Sequence, residues 1–122
     1  MAGKTILLVD DSPTELRCMA LALQDKGYTI LTATDGEQAL EQVREKQPNL
    51  VLLDIVLPKK NGYQVCRTLK TAAATKGIKV ILVSSKNQES DRFWGMRQGA
   101  DEYLTKPFQA KELLASVERN LS

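Results

Sequence analysis

Acidic, hydroxyl and cationic side chains stand where short apolar runs end. Asp10 and Asp11 follow Ile6–Val9, Asp54 follows Leu50–Leu53, Ser84 and Ser85 follow Val80–Val83, and Lys106 follows Tyr103–Thr105. Taken singly, each has an ordinary reading: a helix cap for Asp10 or Asp11, a turn residue for Asp54, a backbone-bonded hydroxyl for Ser84, a surface lysine for Lys106. Yet Ser12 already supplies a cap, and a carboxylate directly after Leu-Val-Leu-Leu is half-buried by the run before it. Their coincidence at run ends favours one shared site. Three carboxylates close together repel each other unless a cation joins them. With hard oxygens as the only ligands in the set, that cation is Mg²⁺, or Mn²⁺. A divalent ion beside an ammonium and a hydroxyl donor suits a phosphoryl group. Metal and lysine neutralise its oxygens while Asp54 attacks in line and becomes an acyl phosphate. Neither GxxxxGK(S/T) nor GxGxxG occurs, which speaks against a nucleotide as the ligand.

Composition narrows the classes further. The chain has no histidine, so it holds no Ser-His-Asp triad, no Cys-His pair and no His-containing zinc site. A phosphohistidine, if one enters the chemistry, belongs to another protein. The 122 residues suit one domain that buries about two-thirds of its unfolded surface. A net charge of +2 is too small to indicate nucleic acid or a membrane surface as partner. The longest apolar run, Cys18 to Leu23, is too short to span a bilayer. Met1-Ala2-Gly3-Lys4 is no signal peptide, so the expected compartment is the cytoplasm. Cys18 and Cys66 stand alone, without a CxxC spacing, and read as small core residues.

The elements that must position the site alternate in kind. Apolar runs at Ile6–Val9, Leu50–Leu53 and Val80–Val83 do not alternate polar with apolar, as expected of strands buried on both faces of a parallel sheet. Weaker runs lie at Tyr28–Ala33 and Glu102–Thr105. Between them, helical spacing groups Leu16, Met19, Ala20 and Leu23; Leu40 and Val43; Val65, Leu69 and Ala72; and Leu114, Val117 and Leu121. Ser12-Pro13-Thr14-Glu15 reads as a capping box with Glu15 reaching back, and Thr34-Asp35-Gly36-Glu37 as a second candidate. Gly27 and Gly99 read as left-handed residues closing helices. Strict strand–helix alternation with right-handed crossovers predicts a doubly wound α/β sandwich whose site lies at the carboxyl ends of the strands.

Asp10-Asp11, Asp54 with Leu57-Pro58 and Asn61-Gly62 behind it, Ser84-Ser85, and Lys106-Pro107-Phe108 together resemble the receiver domain of two-component response regulators. The similarity runs along essentially the whole chain. It implies a (βα)5 flavodoxin-like fold with strand order 2-1-3-4-5, the order of the single-domain member CheY. It also implies that residues 1–122 are one receiver domain without an output domain, which catalyses only its own phosphorylation and dephosphorylation. Carried over residue by residue, the resemblance makes Asp54 the phosphoacceptor. Asp11 and Asp54 become Mg²⁺ ligands, with Asp10 acting mainly through water and the Val56 main-chain carbonyl completing the set. Ser84 and Lys106 contact the phosphoryl oxygens. Lys106-Pro107 is a cis peptide, and Ser84 with Tyr103 forms the switch. The implied partners are a histidine kinase and a downstream protein bound by a face carrying Arg92, Met96 and Tyr103; the chain is expected to be a monomer. Asp11-Ser12-Pro13-Thr14-Glu15 and Trp94-Gly95-Met96-Arg97-Gln98-Gly99-Ala100 are similar to PilH-like regulators of twitching motility and phototaxis.

Two other functions fit the same fold. A phosphorylation-independent scaffold needs no complete site, and this one is complete. A flavin- or nucleotide-binding protein needs a phosphate loop, and none is present. Val56 and Lys86, two residues after Asp54 and Ser84, offer no group to align a hydrolytic water, so slow dephosphorylation is expected. Phe93 reads as core, Trp94 as half exposed, and Lys59-Lys60 as a solvated turn.

Overall fold

A computed structural model describes residues 3–122. The chain runs β1 (Thr5–Val9), α1 (Pro13–Ala22), β2 (Thr29–Ala33), α2 (Gly36–Lys46), β3 (Leu50–Leu53), α3 (Gly62–Thr71), β4 (Lys79–Ser84), α4 (Glu89–Arg97), β5 (Glu102–Thr105) and α5 (Ala110–Leu121). All neighbouring strands are parallel, in the order β2-β1-β3-β4-β5. The expected doubly wound sandwich is therefore the fold observed.

The apolar runs build both layers of core at once. Ile6, Leu8, Leu50, Leu52, Ile81 and Val83 face α1 and α5, where Met19, Leu23, Leu113 and Val117 meet them. Their chain neighbours Leu7, Val9, Val51, Leu53, Val80 and Leu82 face the other way, onto Ala39 and Val43 of α2 and Val65, Cys66 and Leu69 of α3. Period-two alternation thus sends apolar side chains into two cores, and no residue of these runs is left for solvent.

Several boundaries differ from those read in the sequence. Ser12 caps α1 by accepting the Glu15 N–H at 3.3 Å, but the Glu15 side chain does not reach back. The Ser12 N–H donates instead to Asp10 Oδ1 at 3.0 Å, which leaves Glu15 free for another partner. At α2 the cap is Asp35, which accepts from the Gln38 N–H, so the cap lies one residue later than Thr34. The Gln38 side chain accepts from the N–H and hydroxyl of Thr34, the residue before the cap, and not from the Asp35 N–H, so the box is not closed. The α1 helix ends at Ala22, four residues before Lys26, so Gly27, though left-handed, belongs to the turn into β2. Gly99 does follow α4 with positive φ. Ala72 caps α3 in extended conformation and is exposed, because the helix stops at Thr71.

Candidate functional site

Strand register places the site residues before any side chain is considered. Val9 pairs with Leu53 across β1 and β3, so Asp10 and Asp54 emerge side by side one step later. The Asp10 N–H donates to the Ala33 carbonyl and the Asp54 N–H to the Val9 carbonyl, holding both backbones to the sheet edge. On the far side, Ser84 pairs with Thr105, and the Lys106 N–H donates to the Ser84 carbonyl at 2.8 Å. Behind Asp54, α3 begins at Gly62, whose N–H donates to the Ile55 carbonyl. A Cβ at Gly62 would collide with the Asp54 carbonyl and lie 2.7 Å from Ile55 Cα, so glycine is required for this close approach.

Carboxylate oxygens of Asp10, Asp11 and Asp54 lie within 4.8 Å of one another. Asp10 is buried and fully engaged: Oδ1 accepts from Ser12, and Oδ2 pairs with Lys106 Nζ at 2.8 Å. Asp11 is exposed. Asp54 Oδ1 accepts the Ile55 N–H at 2.7 Å, and Oδ2 stands 3.7 Å from Lys106 Nζ. Burial raises the Asp54 pKa and the Asp10 charge adds to it, against the opposing pull of Lys106 and the Ile55 and Val56 N–H groups. Lys106 shows the reverse balance. Burial pulls its pKa down, but hydrogen bonds to Asp10 and Glu15 and the charges of Asp54 and Asp10 lift it above the ordinary value. One ammonium therefore faces a surplus of carboxylates. An oxygen-only set with uncompensated negative charge fits a hard divalent cation.

Ser84 is fully buried at the end of β4, and its hydroxyl accepts the Lys86 N–H at 3.3 Å. The Lys106-Pro107 peptide is cis, as the resemblance implied. Val56 turns its side chain to solvent. Glu15 is the site residue that sequence reasoning missed: its Oε1 lies 3.0 Å from Lys106 Nζ. Its only signal was its place in the first turn of the helix that follows Asp11, and the capping-box reading absorbed it.

The face expected to carry Arg92, Met96 and Tyr103 is built differently from expectation. Arg92 and Met96 are exposed, but Tyr103 is buried and is not part of that surface. Its hydroxyl donates to the Lys86 carbonyl, while the Arg92 guanidinium stacks 5.2 Å above its ring and donates to its carbonyl. Phe93 is 59% exposed and is not core. The α4 position facing the sheet belongs to Gly95, and the Tyr103 ring occupies the space a larger side chain would need. Trp94 is half exposed as expected and meets the Phe93 ring edge-on at 6.4 Å. Cys18 is likewise exposed, one residue from inward-facing Met19. Cys66 is buried, and burial pushes its thiol pKa up to about 12. Lys59 is exposed in its turn, within 4.0 Å of Asp35 and Glu37. Among the described residues, no helix is long and apolar enough to cross a membrane.

Residues 6–118 match the response regulator receiver domain family. Protein PilH of Pseudomonas aeruginosa is 45% identical over 112 residues, covering 92% of this chain and 93% of the relative. Protein PilG of the same organism is 37% identical over 119 residues, covering 98% and 88%. The chain spans about half the length of other curated relatives it matches. Among solved structures, the chemotaxis response regulator CheY4 of Vibrio cholerae superposes with a TM-score of 0.90 at 26% identity, covering 97% of this chain and 98% of that one.

Proposed function

The chain belongs to the response regulator receiver domain family, and from that premise we propose that it is a response regulator phosphorylated on Asp54 by a histidine kinase. Receiver domains of this fold catalyse only their own phosphorylation and dephosphorylation. The observation that carries the assignment is the convergence of three carboxylates with one ammonium at the sheet edge.

In this reading Asp54 Oδ2 attacks the phosphorus of a phosphohistidine on the kinase. The oxygen–phosphorus bond forms as the nitrogen–phosphorus bond breaks, and the electron pair returns to the imidazole, which takes up a proton. Asp11 and Asp54 would hold Mg²⁺, with Asp10 acting mainly through water and the Val56 carbonyl contributing. When bound there, the ion neutralises negative charge on the phosphoryl oxygens. Lys106 supplies the second positive charge, and the Ser84 hydroxyl, whose oxygen accepts from the Lys86 N–H, donates its proton to a phosphoryl oxygen. The anionic product then biases the Ser84–Lys86–Tyr103 linkage, so the message leaves as altered protein binding around Arg92 and Met96. Similarity to PilH and PilG supports a role in pilus-based motility.

The test is incubation with Mg²⁺ and acetyl phosphate, followed by intact mass. The natural sequence gains one phosphoryl group, and Asp54→Asn gains none. A phosphoryl mass that persists in Asp54→Asn would move the acceptor elsewhere.

A further inference from the structure

We propose that Glu15 is a positioning residue that competes with the phosphoryl group for Lys106, holding the ammonium back from Asp54 until phosphorylation draws it across. The inference rests on the function proposed above and adds a residue to its site. Lys106 Nζ contacts Asp10 at 2.8 Å and Glu15 at 3.0 Å, whereas Asp54 stands at 3.7 Å, beyond hydrogen-bond reach. The ammonium is thus engaged by two acids other than the acceptor. Glu15 lies on the groove side of it, since it lines an open cavity of about 510 Å³ with Cys18, Ser85, Lys106 and Pro107, a wall to which Asp54 does not contribute.

The two holding contacts are not equivalent. The Asp10 side chain is only 2% exposed, and its second oxygen is already bound by Ser12. Releasing Lys106 from Asp10 would leave a buried carboxylate short of its countercharge, a costly change. The Glu15 side chain is 40% exposed, so water can replace the ammonium there at little cost. A phosphoryl group on Asp54 puts up to about two negative charges where the carboxylate had one, and Glu15 is the partner that gives way. Its carboxylate therefore sets how much of the attraction between Lys106 and the phosphoryl group is spent on breaking a prior contact. The freedom of Glu15 has a local cause. Asp10 already occupies the Ser12 N–H that a capping-box glutamate would take, so the side chain turns to Lys106.

The experiment compares the natural sequence with Glu15→Gln, which keeps size and helix position but removes the charge. Beryllofluoride with Mg²⁺ serves as the phosphoryl probe, and affinity is read by amide NMR titration. The ¹⁵N shift of the Lys106 ammonium is recorded with and without the probe. Glu15→Gln is expected to bind beryllofluoride about two- to fivefold more tightly, the scale of a partly exposed ion pair. The gain should shrink at high salt, which screens that pair. The Lys106 signal should differ between the two proteins only in the absence of the probe. Equal or weaker binding, a gain that salt does not reduce, or an unchanged Lys106 signal overturns the proposal. If the natural sequence binds no beryllofluoride at all, the proposed function fails, while the Lys106 signal without probe still decides whether Glu15 holds the ammonium.

Discussion

The Tyr103 hydroxyl donates to the Lys86 carbonyl at 2.7 Å, and the Lys86 N–H donates to the Ser84 hydroxyl at 3.3 Å. One residue of the β4–α4 loop thereby joins the buried hydroxyl at the site to the aromatic side chain beneath α4. Motion of either end must be felt at the other, because Lys86 offers both of its backbone groups to the linkage. Tyr103→Phe removes the outer bond and leaves the ring packed. It should cost about 0.5–1.5 kcal/mol in urea unfolding, the net worth of one hydrogen bond. Amide exchange at Lys86 should speed up while the β3 core stays protected.

Alkaline pH offers a second check on the same ring. Burial pushes Tyr103 up to about 12, and burial also raises Tyr28 and Tyr63. A phenol whose pKa is higher folded than unfolded stays neutral in the native state while the unfolded chain ionises. Its stabilisation is complete below the unfolded pKa near 10 and is lost as pH rises toward the folded value. Stability should therefore fall steadily above about pH 10, and the 295 nm phenolate signal should rise together with unfolding.

Asp54 pays for its position in stability. Burial and the neighbouring Asp10 raise its pKa, so its charged form is disfavoured in the fold, and the penalty appears as pH rises through the carboxylate range. Asp54→Asn keeps an oxygen for the Ile55 N–H and removes the charge. In chelator at neutral pH it should melt about 2–5 °C above the natural sequence, the shift expected for roughly 1 kcal/mol in a domain of this size. Added Mg²⁺ should close the gap by raising the melting point of the natural sequence alone.

Gly95→Ala tests the space beneath α4. The new Cβ would lie 2.7 Å from Leu82 Cδ1 and 2.9 Å from the Tyr103 ring. Alanine gains about 1 kcal/mol of helix propensity, but overpacking a well-filled site costs about 1–3 kcal/mol. A net loss in urea unfolding is expected, with changed near-ultraviolet circular dichroism from a displaced Tyr103.

Loss of the phosphoryl group should be slow. The Val56 side chain is solvent-facing and cannot hydrogen-bond, and Lys86 carries donors only. Neither aligns a water opposite the acyl phosphate. Val56→Asn combined with Lys86→Glu should speed decay about tenfold to a hundredfold, the lower end of general acid–base contributions. A double variant no faster than the natural sequence would refute water positioning as the limit.

The three central strands and the carboxylates that follow two of them were legible in the sequence, because burial on both faces imposes runs such as Leu50–Leu53 that no helix face or exposed strand would carry; the edge strands β2 and β5, open on one side, left only weaker runs. The chemical character of the site was legible for a related reason: Asp54 after such a run is costly unless something offsets it. What pairs with what was decided only by tertiary structure. Glu15 suits a capping box and also suits Lys106, and the choice depended on Asp10 taking the Ser12 N–H first. Phe93 suits a core, and Tyr103, ten residues later, filled that core instead. Local pattern reports what each residue costs to bury, whereas competition for one hydrogen bond or one volume is settled among residues that meet only when the sheet has formed.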